Sequence, residues 1–234
     1  MTGQSAVVIG ATGGIGAAIA GALETDGRFD RVIRLSRSTS SPISLDLTSE
    51  ASIRDAAAWM QDNHISPSMV FVATGLLHDG KQGPEKSLRQ LDSDWLMQNY
   101  QINAVGPALI AKYFLPLMDR REAIRFAVLS ARVGSISDNR LGGWYGYRAS
   151  KAALNMMIRN LSIEWSRKND RSIIVALHPG TVDTALSQPF QGNVPAAKLF
   201  ESGRAARQLL DVLDALKPDD SGKIFAWDGT EIQP

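Results

Sequence analysis

In VVIGATGGIGAAIA, residues 7–20, an apolar run, a glycine turn and a helical period follow one another without a break. Val7 to Ile9 suit a buried strand, and Gly10, Gly14 and Gly16 let the chain turn tightly before a run of small residues that favours helix. A strand passed directly into a helix through glycines opens a parallel α/β sheet, because the returning helix covers the sheet's face. The same turn lets backbone approach a pyrophosphate, which the free N–H groups and positive dipole end of the helix attract. Glycines also close turns that bind nothing. Their place after a first strand and before a first helix favours a dinucleotide.

The rest of the chain repeats this alternation. Apolar, β-branched runs predict strands at 6–10, 31–36, 43–47, 69–75, 125–131, 172–180 and 222–229. Helical periods predict helices at 14–27, 49–63, 93–120, 147–168 and 195–216. The third of these should bend or break near Gly106-Pro107, and Ser49 should cap the second. The expected architecture is one Rossmann-like, doubly wound α/β domain over residues 1–234, with a seven-stranded parallel sheet covered by helices on both faces. Residues 181–195, TVDTALSQPFQGNVP, form the longest irregular stretch after a strand, and a loop of that length is usually functional or mobile.

Composition removes several function classes. The net charge is +1, with basic residues scattered, so no electrostatic case exists for nucleic acid or a membrane surface. There is no cysteine, and His64, His78 and His178 lack metal-ligand spacing, so no metal site is expected. No apolar run approaches the roughly 18 residues of a membrane span. The N-terminus enters a strand without a leader pattern, and a soluble cytoplasmic protein is expected.

Two local patterns carry chemistry. At the end of the second strand, RLSRS places Ser36 and then Arg37 where a carboxylate would bind the ribose hydroxyl of NAD. A guanidinium matches a phosphate instead, so NADP(H) is expected over NAD(H). Further on, GGWYGYRASKAALN (142–155) sets Tyr147 four residues before Lys151, on one helix face, whereas the residue four after Tyr145 is an alanine. A free phenol, with pKa about 10, is a poor acid–base near neutrality. A nearby ammonium and a positive nicotinamide ring would favour the phenolate and lower that value.

The G-x-x-x-G-x-G spacing, the Tyr-x-x-x-Lys pair, QINAVGP and HPGTVDT, in this order, resemble the short-chain dehydrogenase/reductase family along essentially the whole chain. RVGSISDNRLGGWYGYRASKAALN is similar to a subgroup containing sniffer-type carbonyl reductases and bacterial C-factor proteins. The resemblance implies hydride exchange between a nicotinamide and a carbonyl or alcohol, with Tyr147 as acid–base, Lys151 beside it, and Asn103 offering a water-binding carbonyl. It also implies cofactor contacts from Gly10, Thr12, Gly14, Ile15 and Gly16, from Ser36, Arg37, Asp46 and Leu47, from Ala73, Thr74 and Gly75, and from Pro179, Gly180, Val182 and Thr184. A homodimer or homotetramer is implied as well.

The pattern breaks in two places. The family's catalytic serine, in Ser-x-x-Gly, falls on Ala131 when Gly134 takes the glycine's place, leaving Ser130 or Ser135 to supply the hydroxyl. Ser130 is the favoured replacement, although it would point to the opposite face of a regular strand. The family's polar pair, a threonine before the glycine turn and an asparagine on the fourth strand, is here Ile9 and Val72, an expected apolar exchange across a contact. Loss of the serine leaves an alternative: a regulatory or signalling protein that binds cofactor with weak or no catalysis. His78, Trp144 and Arg140 stand on loops near the expected substrate cleft, with Pro189 and Phe190 on the loop that would cover it.

Overall fold

Every residue of β1 (Ser5–Ile9) is buried, as an alanine–valine–isoleucine run requires in a strand covered on both faces. The computed structural model describes residues 4–38 and 40–234. β1 leads through the glycine turn into α1 (Gly14–Asp26), which Gly27 closes in a left-handed conformation, φ 75°. β2 (Arg31–Leu35), α2 (Glu50–Asp62) and β3 (Pro67–Val72) follow. Then come α3 (Ser93–Tyr100), α4 (Gly106–Phe114), β4 (Arg125–Leu129), α5 (Tyr145–Ser166) and β5 (Ile173–His178). Two short strands, β6 (Thr181–Val182) and β7 (Leu199–Phe200), precede α6 (Ser202–Ala215) and β8 (Ile224–Ala226).

The main sheet has the order β2-β1-β3-β4-β5-β8, and every pairing in it is parallel. Alternate side chains go to opposite faces. Val7, Ile9, Val70, Val72, Phe126 and Val128 pack with Ile53 and Met60 of α2, Ile110 and Phe114 of α4, and Leu154 and Ile158 of α5. Ala6, Val8, Phe71, Ala127 and Val175 pack on the other face with Ile19 and Leu23 of α1 and Leu209 and Leu213 of α6. The chain leaves β1 toward β2 on one side and returns as β3 on the other. A crevice therefore opens at the carboxyl ends of β1 and β3, where such sheets bind ligands.

Among the described residues the sheet has six strands, not the expected seven. Residues 43–47 make only an isolated bridge between Ser36 and Ser44. Pro42 has no N–H, and serine hydroxyls take the backbone bonds of a ladder: Ser41 Oγ donates to the Ile43 carbonyl, and Ser52 Oγ accepts from Asp46 N. The apolar alternation still holds, since Leu45 and Leu47 are buried in the core. The last helix begins at Ser202, not 195, because Leu199 and Phe200 pair instead with Thr181 and Val182. That pairing pins both ends of the long loop.

Ser49 caps α2, its side chain accepting from Ser52 N. The break expected near Gly106-Pro107 is a π-helical turn over Gln101–Val105, with Gly106 N bonded to the carbonyl of Gln101, five residues back. Pro107 lacks the N–H that the Asn103 carbonyl would meet in a regular helix. Among the described residues, no helix is long and apolar enough to cross a membrane.

Candidate active site

The glycine turn is built by close approach. Gly10 has φ 83°, and a Cβ there would lie 2.7 Å from the Ala73 carbonyl oxygen. A Cβ on Gly16 would collide with the Gly10 carbonyl, so both must be glycine for α1 to sit against β1. α1 has Gly13 at its N-cap with no side-chain cap, and no acidic residue in its first turn. Its first amides therefore face the crevice without an anionic partner.

Two cavities adjoin here. One of about 480 Å³ is lined by Gly10, Thr12, Ser36, Arg37, Asp46 and Leu47, and by Ala73, Thr74 and Gly75. The other, about 210 Å³, is lined by Gly14, Ile15, Leu129, Ser130, Tyr147, Lys151, Pro179 and Thr184. They meet along Gly13, Ala73, Thr74 and Gly75. Thr74 Oγ1 is buried in this wall without a hydrogen-bond partner. A bare helix terminus, a glycine-walled crevice and an orphaned hydroxyl fit an elongated, phosphate-bearing dinucleotide.

Not every expected residue reaches a cavity wall. Gly180, at φ 74°, turns the chain behind the site, and Val182 packs with Phe200 and Ala205. Asp46 lines the first cavity but also closes its own turn, accepting from Thr48 N at 2.9 Å and Thr48 Oγ1 at 2.8 Å. Arg37 is exposed at the same rim.

α5 presents Tyr147 and Lys151 on its buried face, with Lys151 Nζ 5.8 Å from the centre of the Tyr147 ring. Lys151 Nζ donates to the Leu129 carbonyl at 2.8 Å. Gly134 makes this crossing possible, since a Cβ there would lie 2.8 Å from Lys151 Cβ. The expected lowering of Tyr147 by the lysine is absent. Burial pushes the phenol up to about 12 and the ammonium down to about 7, because desolvation disfavours the charged form of each.

Asn103 lies in the π turn, fully buried and fully employed. Its Oδ1 accepts from Leu76 N at 2.7 Å, and its Nδ2 donates to the Leu76 carbonyl at 2.8 Å and to Ser150 Oγ at 3.1 Å. Ser150 Oγ in turn donates to the Tyr147 carbonyl. The side chain thus braces α5 against the segment after β3. A π turn at such a junction is common at functional sites.

The two candidate hydroxyls separate clearly. Ser130 N remains bonded to the Leu177 carbonyl, so the strand geometry continues past β4 and turns the side chain toward α5, where Oγ donates to Asn155 Oδ1 at 2.7 Å. Ser135 faces its own loop, 3.3 Å from Ser137 Oγ, and accepts from Asp138 N. Ser130, not Ser135, shares a cavity with Tyr147 and Lys151.

Aromatic residues form the outer wall. Trp144 packs edge-on to Tyr147, at 6.2 Å, and to Phe190, at 5.2 Å. Phe190 also meets His78 at 5.8 Å, and His78 Nε2 lies 3.1 Å from the Ala185 carbonyl. The long loop is therefore held by partners from two other loops. Trp144 adopts φ 51°, a strained conformation for a bulky residue. Arg140 instead bonds the carbonyls of Ser137 and Asn139 on its own loop. His178 is half-buried, its Nδ1 is buried without a hydrogen-bond partner, and desolvation lowers it to about 4.

Sequence reasoning passed over Asn155 and Glu85. Asn155 sits one turn beyond Lys151, a spacing legible in the sequence once a side chain is sought for Ser130. Glu85 is buried 61 residues from its partner, accepting from Gly146 N at the start of α5, and nothing local signals it.

The family model described as short chain dehydrogenase matches residues 4–194. The 1-hydroxy-2-glutathionyl-2-methyl-3-butene dehydrogenase of Rhodococcus sp. (strain AD45) is 32% identical over 81% of this chain and 78% of its own. The C-signal protein of Myxococcus xanthus is 35% identical over 65% of this chain and 87% of its own. In structure, the NADPH-bound carbonyl reductase from chicken fatty liver superposes with a TM-score of 0.86 at 24% identity, covering 99% and 94% of the two chains. Carbonyl reductase Sniffer of D. melanogaster gives 0.85 at 20% identity over 100% of both. The chain belongs to the short-chain dehydrogenase family.

Proposed function

We propose that the protein is an NADP(H)-dependent oxidoreductase that reduces an aldehyde or ketone and, in reverse, oxidises the alcohol. One observation carries this reading: the glycine turn, Tyr147 and Lys151 line a single cavity beside the crevice of the sheet. Gly10, Thr12, Gly14, Ile15 and Gly16 would hold the pyrophosphate end, with Ala73, Thr74 and Gly75 along its side. Ser36 and Arg37 would meet the adenosine ribose and its 2′-phosphate, Asp46 and Leu47 the adenine, and Pro179 and Thr184 the carboxamide end, with Gly180 shaping the turn between them and Val182 offering backbone groups only. When bound, the nicotinamide supplies or accepts the hydride.

The protein's own residues then handle the proton. Tyr147, held protonated at neutral pH by burial, donates its O–H to the carbonyl oxygen, a general-acid role. Lys151 titrates near neutrality, and its protonated form stabilises the phenolate left behind. The Asn103 carbonyl, which Pro107 leaves without its helical donor, offers a water site behind Lys151. Ser130 supplies the second donor to the carbonyl oxygen in place of Ala131. Trp144 and Phe190 exclude water from above, which suits an apolar carbonyl compound.

We further take the protein to act as one domain in the cytoplasm and as a homodimer or homotetramer. Met156, Met157 and Ile163 of α5 and Val105 beside α4 are exposed and apolar, which suits association through these helices. A second reading, a cofactor-binding signalling protein with little catalysis, is favoured by Ala131 and by the Ser130 hydroxyl being committed to Asn155. NADPH oxidation across a panel of aldehydes and ketones, with Tyr147→Phe as control, separates the two.

A further inference from the structure

Ser130 can donate one hydrogen, and in this structure Asn155 Oδ1 receives it at 2.7 Å. A serine so engaged cannot give the same hydrogen to a substrate oxygen. Asn155 Nδ2 is meanwhile buried with no partner. Two buried N–H groups thus stand idle beside a serine oxygen that still has lone pairs to offer. An orphaned buried donor is destabilising, so its presence calls for a physical reason.

The two ends of a primary amide have the same shape. A half-turn of the Asn155 amide places Nδ2 where Oδ1 stands, at the same separation from Ser130 Oγ, and Nδ2 then donates to that oxygen. The Ser130 hydrogen is released and can swing into the cavity shared with Tyr147 and Lys151. The half-turn leaves Asn155 Oδ1 without its bond but uses one idle N–H, so the two states are close in cost. A carbonyl oxygen in the cavity tips the balance, because only the turned state gives it a second donor.

We propose that Asn155 is a positioning residue for substrate. By turning its amide to donate to Ser130, it aims the Ser130 hydroxyl at the substrate's carbonyl oxygen and so replaces the hydroxyl missing at Ala131. Asn155 stands on the Tyr147 helix, two turns beyond Tyr147 and one beyond Lys151, so one rigid element carries both donors' supports. No bond is made or broken in the half-turn, and the proton transferred to substrate remains that of Tyr147.

This inference rests on the oxidoreductase reading, and the experiment keeps the two apart. NADPH turnover by the unaltered protein, lost in Tyr147→Phe, establishes the reading first; no turnover there overturns both. Ser130→Ala, Asn155→Asp and the double variant are then compared by kcat, KM and NADPH affinity. A carboxylate accepts but cannot donate, so Asn155→Asp should hold the Ser130 hydrogen away from substrate. The expected result is a loss of about a hundredfold in kcat for Ser130→Ala, a loss of at least about tenfold for Asn155→Asp, and a double variant no slower than Ser130→Ala. NADPH affinity should stay within about twofold, since neither side chain is placed to hold the cofactor. Acidification should restore part of the Asn155→Asp rate, as its protonated carboxyl becomes a donor, and should leave the Ser130→Ala background unrestored. Multiplying losses in the double variant, or normal kcat in Asn155→Asp, overturns the inference. Should Asn155→Asp fail to fold, Asn155→Leu takes its place in the same cycle: it frees the Ser130 hydrogen but no longer aims it, so a loss in kcat smaller than that of Ser130→Ala is expected, with no further loss in the double variant, and a normal kcat overturns the inference.

Discussion

Lys151 Nζ lies 5.8 Å from the centre of the Tyr147 ring, yet its hydrogen bond goes to the Leu129 carbonyl, 2.8 Å away. The pair is adjacent but not ion-paired, and burial governs both members. Tyr147 is pushed up to about 12 and Lys151 down to about 7. A phenol that stays protonated and an ammonium that titrates near neutrality suit reduction at neutral pH or below.

The lysine's shift has a consequence for stability. Below about pH 7 it is protonated in both folded and unfolded states, and the folded state bears the full cost of a buried ammonium. Between about 7 and the ordinary lysine value of 10.5 only the unfolded state is protonated, so stability rises with pH through this window. Lys151→Met removes the cost and the dependence together. The variant should melt at least about 3 °C above the parent at pH 6, with the advantage shrinking toward pH 10, while activity is lost. Thermal melts across that range check it, and an advantage that grows with pH contradicts it.

Arg37 stands at the rim of the larger cavity with no carboxylate in its turn. Arg37→Ala should weaken NADPH about 10- to 100-fold, the worth of a charge-assisted hydrogen bond, and leave NADH within about twofold. Fluorescence titration with both nucleotides reads this directly. Equal losses for both would remove Arg37 from phosphate recognition.

Ile9 and Val72 are register partners across β1 and β3, both about 1% exposed. The apolar exchange read from the sequence therefore joins residues that are neighbours. Ile9→Thr alone should cost about 1–3 kcal/mol, since its hydroxyl has no partner. Adding Val72→Asn should cost less than the sum of the singles by about 1 kcal/mol, as the pair can then bond across the strands. Denaturant melts of the four variants decide, and additive costs would deny the coupling.

Phe190 packs against Trp144 and His78, at ring distances of 5.2 Å and 5.8 Å. If the long loop covers the substrate, Phe190→Ala should raise KM about tenfold, the worth of part of an aromatic side chain, and change kcat much less. An unchanged KM for every active carbonyl would place the substrate elsewhere.

Much of this was legible because it is local. The glycine turn, the Ser49 cap, the Gly27 stop and the Tyr147–Lys151 spacing each depend on residues within one or two turns, and each lies where the pattern put it. The strand expected at 43–47 failed because serine hydroxyls outcompeted a ladder, which apolar alternation cannot reveal. The late start of α6 follows from Leu199 and Phe200 pairing with residues 18 positions earlier. The Ser130 question could be posed from the sequence but not resolved there. Its direction is set by a backbone bond to Leu177, 47 residues away, and by Asn155 on another element.

The most direct measurement is NADPH oxidation by the purified protein across aldehydes and ketones, beside Tyr147→Phe. Turnover with at least one carbonyl, falling by a thousandfold or more, roughly 4 kcal/mol, in the variant while NADPH still binds, is the expected result. Tight NADPH binding by both proteins, with no turnover that Tyr147→Phe removes, would contradict a catalytic Tyr147 and favour a cofactor sensor.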